Sequence, residues 1–171
     1  MTKRIYAVIP ARQGSKGVIN KNIKLLGGHP LIAYSIALAK LTPEISRVIV
    51  STDSEEYAKI AIQYGAEVPF LRPTEIANDK STDLEFFKHC IHWFQENETN
   101  LPDYLVHLRP TTPLREPSIV SSAIEVFIKS ESALTSLRSG HVCSESPFKW
   151  FKKNNFGYFT VNLGNNIILL S

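Results

Sequence analysis

The sequence predicts an α/β fold, a three-layer α/β/α sandwich on a mainly parallel sheet, and three observations carry that expectation. Short apolar, β-branched runs alternate with segments of helical period along the first 139 residues. The first run, RIYAVI at residues 4–9, is almost wholly apolar and stops at Pro10, as a strand buried on both faces does. A basic loop containing glycines follows it, at the carboxyl end of the strand where open α/β sheets bind ligands.

Each further element has its own local signal. Residues 13–28 hold four glycines among lysines and asparagines and form the loop. Pro30 sits where the first turn of a helix tolerates it, and Leu31, Tyr34, Leu38 and Leu41 repeat at helical spacing. Residues 47–50 predict a second strand. Ser54 is the expected N-cap of a helix over 55–64, with a stripe of Tyr57, Ile60, Ala61 and Tyr64 and with Gly65 ending it. Residues 67–71 predict a third strand, and a polar loop over 72–82 leads to a helix from about 83 to 95 carrying Phe86, Phe87, Cys90, Ile91 and Phe94. Residues 104–108 predict a fourth strand, followed by the proline-rich RPTTPLREP, an amphipathic helix over 118–129 and a strand over 133–137. After Ser139 a Lys-rich aromatic stretch and an Asn-Asn-Phe-Gly turn predict a hairpin projecting from the sandwich. The expected division is therefore a nucleotide-binding α/β domain over 1–139 and a projecting arm over 140–171.

Composition narrows the functional classes. The 171 residues are 43% hydrophobic and 20% charged, and a globular domain of this size buries roughly 70% of its unfolded surface, so it needs no disulfide or metal staple. Its 19 basic and 16 acidic residues leave a net charge of +3, too even for a nucleic-acid stripe, so any anion must be held locally. No run approaches the roughly 18 apolar residues of a membrane helix, and no signal-peptide core precedes the first strand. Cys90 and Cys143 lack metal-ligand spacing and read as reduced thiols. The expected setting is cytoplasmic, with neither membrane nor nucleic acid as partner.

The chemistry concentrates in IPARQGSKG, residues 9–17, followed by Lys21 and Asn22. Gly14 and Gly17 let backbone N–H groups turn toward an anion, and Arg12, Lys16 and Lys21 place three cations within ten positions, enough to counter a triphosphate. A lone Gly/Lys cluster is more often a solvated loop, but its place at the end of the first strand favours phosphate binding. The G-x-x-x-x-G-K-[ST] and G-x-G-x-x-G spacings are absent, which removes P-loop NTPases and dinucleotide oxidoreductases from the leading readings.

Four blocks in order resemble the acylneuraminate cytidylyltransferases: IPARQGSKG with Lys21-Asn22; VIVSTDSEE at 48–56; YGAEVPFLRP at 64–73 with A-x-D-x-S at 77–81; and LRPTTPLR at 108–115. The resemblance implies a nucleotide-diphospho-sugar transferase-like fold and a reaction in which a nine-carbon 2-keto-3-deoxy sugar acid takes CMP from CTP. It implies Arg12 and Lys21 as catalytic cations, Arg12 and Asn22 on the nucleotide with Asn22 near the base, and Ser15 and Lys21 on the phosphates. Lys16 either joins them or faces solvent. Arg72 and Ser81 resemble residues of the family's lid, and Asp53 either contacts nucleotide or caps the following helix. Arg109 stands where many sialic-acid enzymes carry Gln, and its guanidinium fork suits a sugar carboxylate or a differently substituted relative such as a legionaminic or pseudaminic acid. Thr111 and Thr112 place hydroxyls beside it.

The family's hairpin arm also implies a homodimer through residues 148–159, with Lys149 reaching a partner's sugar site. Family members continue into a late D-x-D pair that binds Mg²⁺. No Asp follows Ser139 here, so the expectation is a shortened chain that has the family's need for Mg²⁺ but no protein ligands for it, and that binds CTP with little turnover. The alternatives are an octulosonate cytidylyltransferase and a paralogue that only binds nucleotide.

Overall fold

In the computed structural model the described residues are 3–15, 17–130, 134–139, 151–153 and 159–161. The chain divides into two compact units, residues 1–135 and 136–171. The first runs in order through β1 (Ile5–Pro10), a 3₁₀ turn (Lys21–Ile23), β2 (Leu25–Leu26), β3 (His29–Pro30), α1 (Leu31–Lys40), β4 (Arg47–Ser51) and α2 (Glu55–Gln63). A second 3₁₀ turn (Thr74–Ile76), α3 (Asp83–Asn97), β5 (Tyr104–His107) and α4 (Pro117–Lys129) complete it.

β1 lies between β4 and β5 and is parallel to both, with Val8 opposite Ile49 on one side and His107 on the other. Its residues 5–9 are all buried, because the pleat sends alternate side chains into two cores. Ala7 and Ile9 join Val48 and Val50 beneath Ile32 and Ile36 of α1 and Tyr57 and Ala61 of α2, with Val120 of α4 packed alongside. Tyr6, Val8 and Ile49 face the other way, onto Phe86, Cys90 and Phe94 of α3. The sheet is thus the middle of three layers, as the sequence predicts. Because the strands are parallel, the turns after Pro10, Ser51 and His107 all leave the same end of the sheet.

Helix signals hold locally. The Ser54 hydroxyl accepts from Tyr57 N, Gly65 takes φ +85° just past α2, and the Glu85 carboxylate accepts from Thr82 N at 2.5 Å to start α3. Those bonds to Thr82 hold the Glu85 carboxyl below its usual range. Pro117 occupies the first turn of α4.

Four expectations need correction. The buried face of α1 is Ile32, Ser35, Ile36 and Ala39, together with Leu38, while Leu41 is 67% exposed beyond the last turn. Ile91 lies off the buried stripe of α3, at 40% exposure. Residues 67–71 form no strand: they pair with β4 and the residue after it in two separate parallel bridges, Ile49 to Glu67 and Thr52 to Leu71, since Pro69 between them has no N–H for a ladder. Residues 134–137 form no strand: Leu134 N donates to Ser130 O at 3.2 Å, which takes the amide a sheet neighbour would need.

In the second unit β6 (Phe151–Lys153) and β7 (Phe159–Val161) pair antiparallel, Phe151 opposite Val161, as a hairpin requires. No helix among the described residues is long and apolar enough to cross a membrane.

Candidate functional site

The end of β1 opens directly into the basic loop. Ala11 N still donates to Ser51 O at 2.9 Å, extending the sheet by one bond, and the chain then turns away through Arg12, Gln13 and Gly14, with Gly14 at φ +73° where a side chain would be strained. Two neighbours fix that turn. Asp53, just past β4, accepts from Gln13 N through Oδ1 at 2.8 Å, and Asn22, nearly buried in the 3₁₀ turn, donates from Nδ2 to Arg12 O at 3.0 Å. Asn20 sits in the left-handed region at φ 53°, and its Oδ1 accepts from the Tyr57 hydroxyl at 3.3 Å. Burial, with the charges of Glu56 and Asp53, pushes that phenol above its usual range, so it stays a donor.

An open cleft of about 490 Å³ lies between residues 12–14, with Asn20 and Asp53, and residues 77–79. Arg12 projects its donors along it. Nη1 donates to Gln13 O at 3.4 Å and Gly14 O at 3.2 Å, and Nη2 donates to Asp79 Oδ1 at 2.5 Å. Residues 78–81 close a tight turn in which Asn78 N donates to Ser81 Oγ at 3.1 Å and Lys80 N to Asn78 Oδ1 at 2.9 Å. The Ser81 hydroxyl therefore braces the segment that carries Asp79. Ser15 and Lys21 are half-buried elsewhere in the loop, outside the cleft lining. Lys16 and Lys149 lie outside the described residues.

Arg72 is placed differently. It is only 5% exposed, its Nε donates to Ser51 Oγ at 3.0 Å, its Nη2 donates to Ser51 O at 2.6 Å, and its guanidinium lies 5.0 Å from the Phe86 ring centroid. Burial pulls its pKa down, but a guanidinium remains charged. It does not line the cleft. Nearby Cys90 is fully buried and its thiol is pushed up to about 11 by burial, so it offers no thiolate nucleophile.

Beyond β5, Arg109 is exposed and its Nη2 donates to Asp83 Oδ2, at the first residue of α3. The loop that presents it is drawn together at the backbone: Arg109 O accepts from Ser35 Oγ at 3.3 Å and from Arg115 Nη2, while Arg115 Nε donates to Thr112 O at 2.9 Å. Thr111 is exposed on that loop. Arg12 and Arg109, 97 positions apart in the chain, thus each pair with a carboxylate of one short stretch, residues 79–83. In sequence Asp79 and Asp83 offer themselves, with Asp53, only as substitute metal ligands; nothing there points to them as partners of the two arginines. Asp53 proves to be a brace for the loop, because Ser54 supplies the helix cap.

Among the described residues the donor set does not make a self-contained magnesium site. Among the described residues no three potential ligands cluster, and the cleft's carboxylates, Asp53 and Asp79, already accept from Gln13 N and Arg12. What the described residues can do is hold an anion: a positioned guanidinium beside a glycine turn, with water access.

Over 127 residues the chain is 41% identical to the N-acylneuraminate cytidylyltransferase of Escherichia coli O18:K1:H7, a match covering 74% of this chain and 29% of that one. Over 123 residues it is 42% identical to the CMP-N,N'-diacetyllegionaminic acid synthase of Legionella pneumophila, covering 72% and 53%. The chain spans about half or less of the length of these relatives. The solved structure of a CMP:2-keto-3-deoxy-manno-octonic acid synthetase complexed with CTP shares the fold, at TM-score 0.64 and 19% identity over 76% of this chain and 49% of that one. The family model described as cytidylyltransferase matches residues 6–153, from β1 and its basic loop through to the last residue of β6, and the chain belongs to that family.

Proposed function

We propose that this chain carries the nucleotide-binding part of an enzyme that transfers CMP from CTP to a nine-carbon 2-keto-3-deoxy sugar acid, N-acetylneuraminate or a legionaminate- or pseudaminate-like relative. The observation that carries the reading is Arg12, presented by a glycine turn at the carboxyl end of β1 over an open cleft, in a cytidylyltransferase whose relatives are named for such sugars. The anomeric hydroxyl oxygen bonds to the α-phosphorus of CTP, the bond from that phosphorus to the bridging oxygen breaks, pyrophosphate leaves, and the hydroxyl proton passes to solvent. Such a transfer needs positioning and neutralisation more than covalent help. Arg12 and Lys21 supply positive charge to the phosphates, with Ser15 and Lys16 beside them. Asn22 serves the nucleotide by fixing the Arg12 carbonyl. Arg72 and Ser81 act from beneath, through the end of β4 and the turn that carries Asp79. Arg109 and Thr111 take the sugar acid, the carboxylate of which matches a guanidinium fork. Lys149, a homodimer through residues 148–159, a requirement for Mg²⁺ and a cytoplasmic setting complete the proposal.

The test is incubation with CTP, Mg²⁺ and a panel of eight- and nine-carbon keto acids, following pyrophosphate and CMP-sugar, alongside titration of CTP alone. Product from the nine-carbon acids supports the reading. Product from the eight-carbon acid alone moves the chain to octulosonate activation, and CTP binding without product from any acid leaves a nucleotide-binding module. Failure to bind CTP overturns all three.

A further inference from the structure

Arg12 meets a carboxylate where a nucleotide would bring a phosphate. Its Nη2 donates to Asp79 Oδ1 at 2.5 Å, both side chains are about one-third exposed (29% and 31%), and both line the cleft. The remaining bonds of the guanidinium run from Nη1 to the carbonyls of Gln13 and Gly14, which belong to the turn itself. Asp79 is the separable partner. It sits at the tip of a short turn closed by Asn78 and Ser81, and the bonds that close the turn do not involve its carboxylate.

We infer that Asp79 is an internal competitor for Arg12: in the ligand-free protein it occupies the donor that a phosphate oxygen takes, and it thereby sets nucleotide affinity. The inference rests on the nucleotide reading of the loop and adds a residue to it. Three physical points support it. A carboxylate brings one negative charge and a polyphosphate several, so the ligand displaces it but must first break the existing bond. A pair exposed to this extent is weak enough to be exchanged and strong enough to be felt as a several-fold change in affinity. The arrangement also recurs: Asp83, four residues on, holds Arg109 in the same way, so each arginine assigned to a substrate anion is occupied by a carboxylate of the same stretch.

Calorimetric titration of CTP, and separately of inorganic pyrophosphate, into the wild type, Asp79→Asn and Asp79→Ala decides the matter, with thermal melting to confirm folding. Both variants are expected to bind both ligands roughly two- to tenfold more tightly than the wild type. That gain is expected to disappear in an Arg12→Gln background, because competition needs the guanidinium. If the wild type binds CTP and the Asp79 variants bind it equally or less tightly, the inference falls while the nucleotide reading stands. A gain of full size without Arg12 makes Asp79 a mere repelling charge and also overturns it. If no form binds either ligand, the nucleotide reading fails and takes the inference with it.

Discussion

The turn after β1 and the segment entering α3 each hold an arginine, and the two guanidiniums live in different media. Arg12 is about one-third exposed and is paired with the Asp79 carboxylate, whereas Arg72 is buried against Ser51 and the face of Phe86, with no ion pair to a carboxylate among the described residues. An exposed ion pair contributes little to stability and exchanges readily. A buried cation cannot leave without giving up charged hydrogen bonds that no water replaces. The difference teaches that partner and burial, rather than residue type, separate an arginine that receives a ligand from one that holds the receiving surface. Arg72 ties residues 67–72 to the last residue of β4, and Arg72 N donates to Thr52 O at 2.7 Å, in the place where Pro69 interrupts the ladder.

The contrast breaks most visibly at Arg72. Arg72→Ala is expected to cost about 2–3 kcal/mol of unfolding free energy, since it removes two charged hydrogen bonds to Ser51 and the packing of the guanidinium on Phe86. Urea denaturation measures it, and Arg72→Lys should recover only part, because an ammonium lacks the planar fork. A loss under about 0.5 kcal/mol would place Arg72 with the exposed arginines.

Arg12→Ala should do the reverse, changing stability by less than about 1 kcal/mol while raising the Kd for CTP about tenfold or more. Lys21→Ala should behave likewise and Lys16→Ala should weaken binding less. Equal CTP affinities in all three variants would end the case for a phosphate cradle.

A neighbouring control sharpens the comparison. Ser54→Ala removes the cap of α2 and is expected to cost about 1 kcal/mol by thermal unfolding, leaving CTP affinity where it was, because Ser54 bonds to Tyr57 N and not to the cleft. A matching loss of CTP affinity would mean that α2 itself positions the Asp53 brace.

The smallest effect concerns pH. His89 packs edge-on to Phe70 at 4.8 Å, and burial, then the charges of Arg72 and His92, hold its pKa below the ordinary imidazole value. With the folded pKa depressed, its contribution is intact above about pH 6.5 and declines as pH falls from there, since the unfolded chain takes up the proton first. His89→Gln should flatten that part of the stability profile, and Arg72→Ala should lessen it. An unchanged acid limb in His89→Gln would assign the sensitivity to other groups.

What the sequence determined by itself is what acts over a few residues. The buried strand at residues 5–9, the helix starts at Ser54 and Thr82, the stop at Gly65 and the position of the basic loop all rest on apolar period, capping chemistry and glycine conformation, and all are found. The tertiary structure alone decided the rest, because those outcomes depend on partners distant in the chain. Which face of α1 is buried follows from the sheet beneath it, not from its own leucines. Asp79 meets Arg12 across 67 positions and Asp83 meets Arg109 across 26, distances at which no local propensity acts. Arg72 reads in sequence as a cation of a polar loop. Only the packing of α3 against β4 takes water away from it, and the loss of water makes it part of the scaffold.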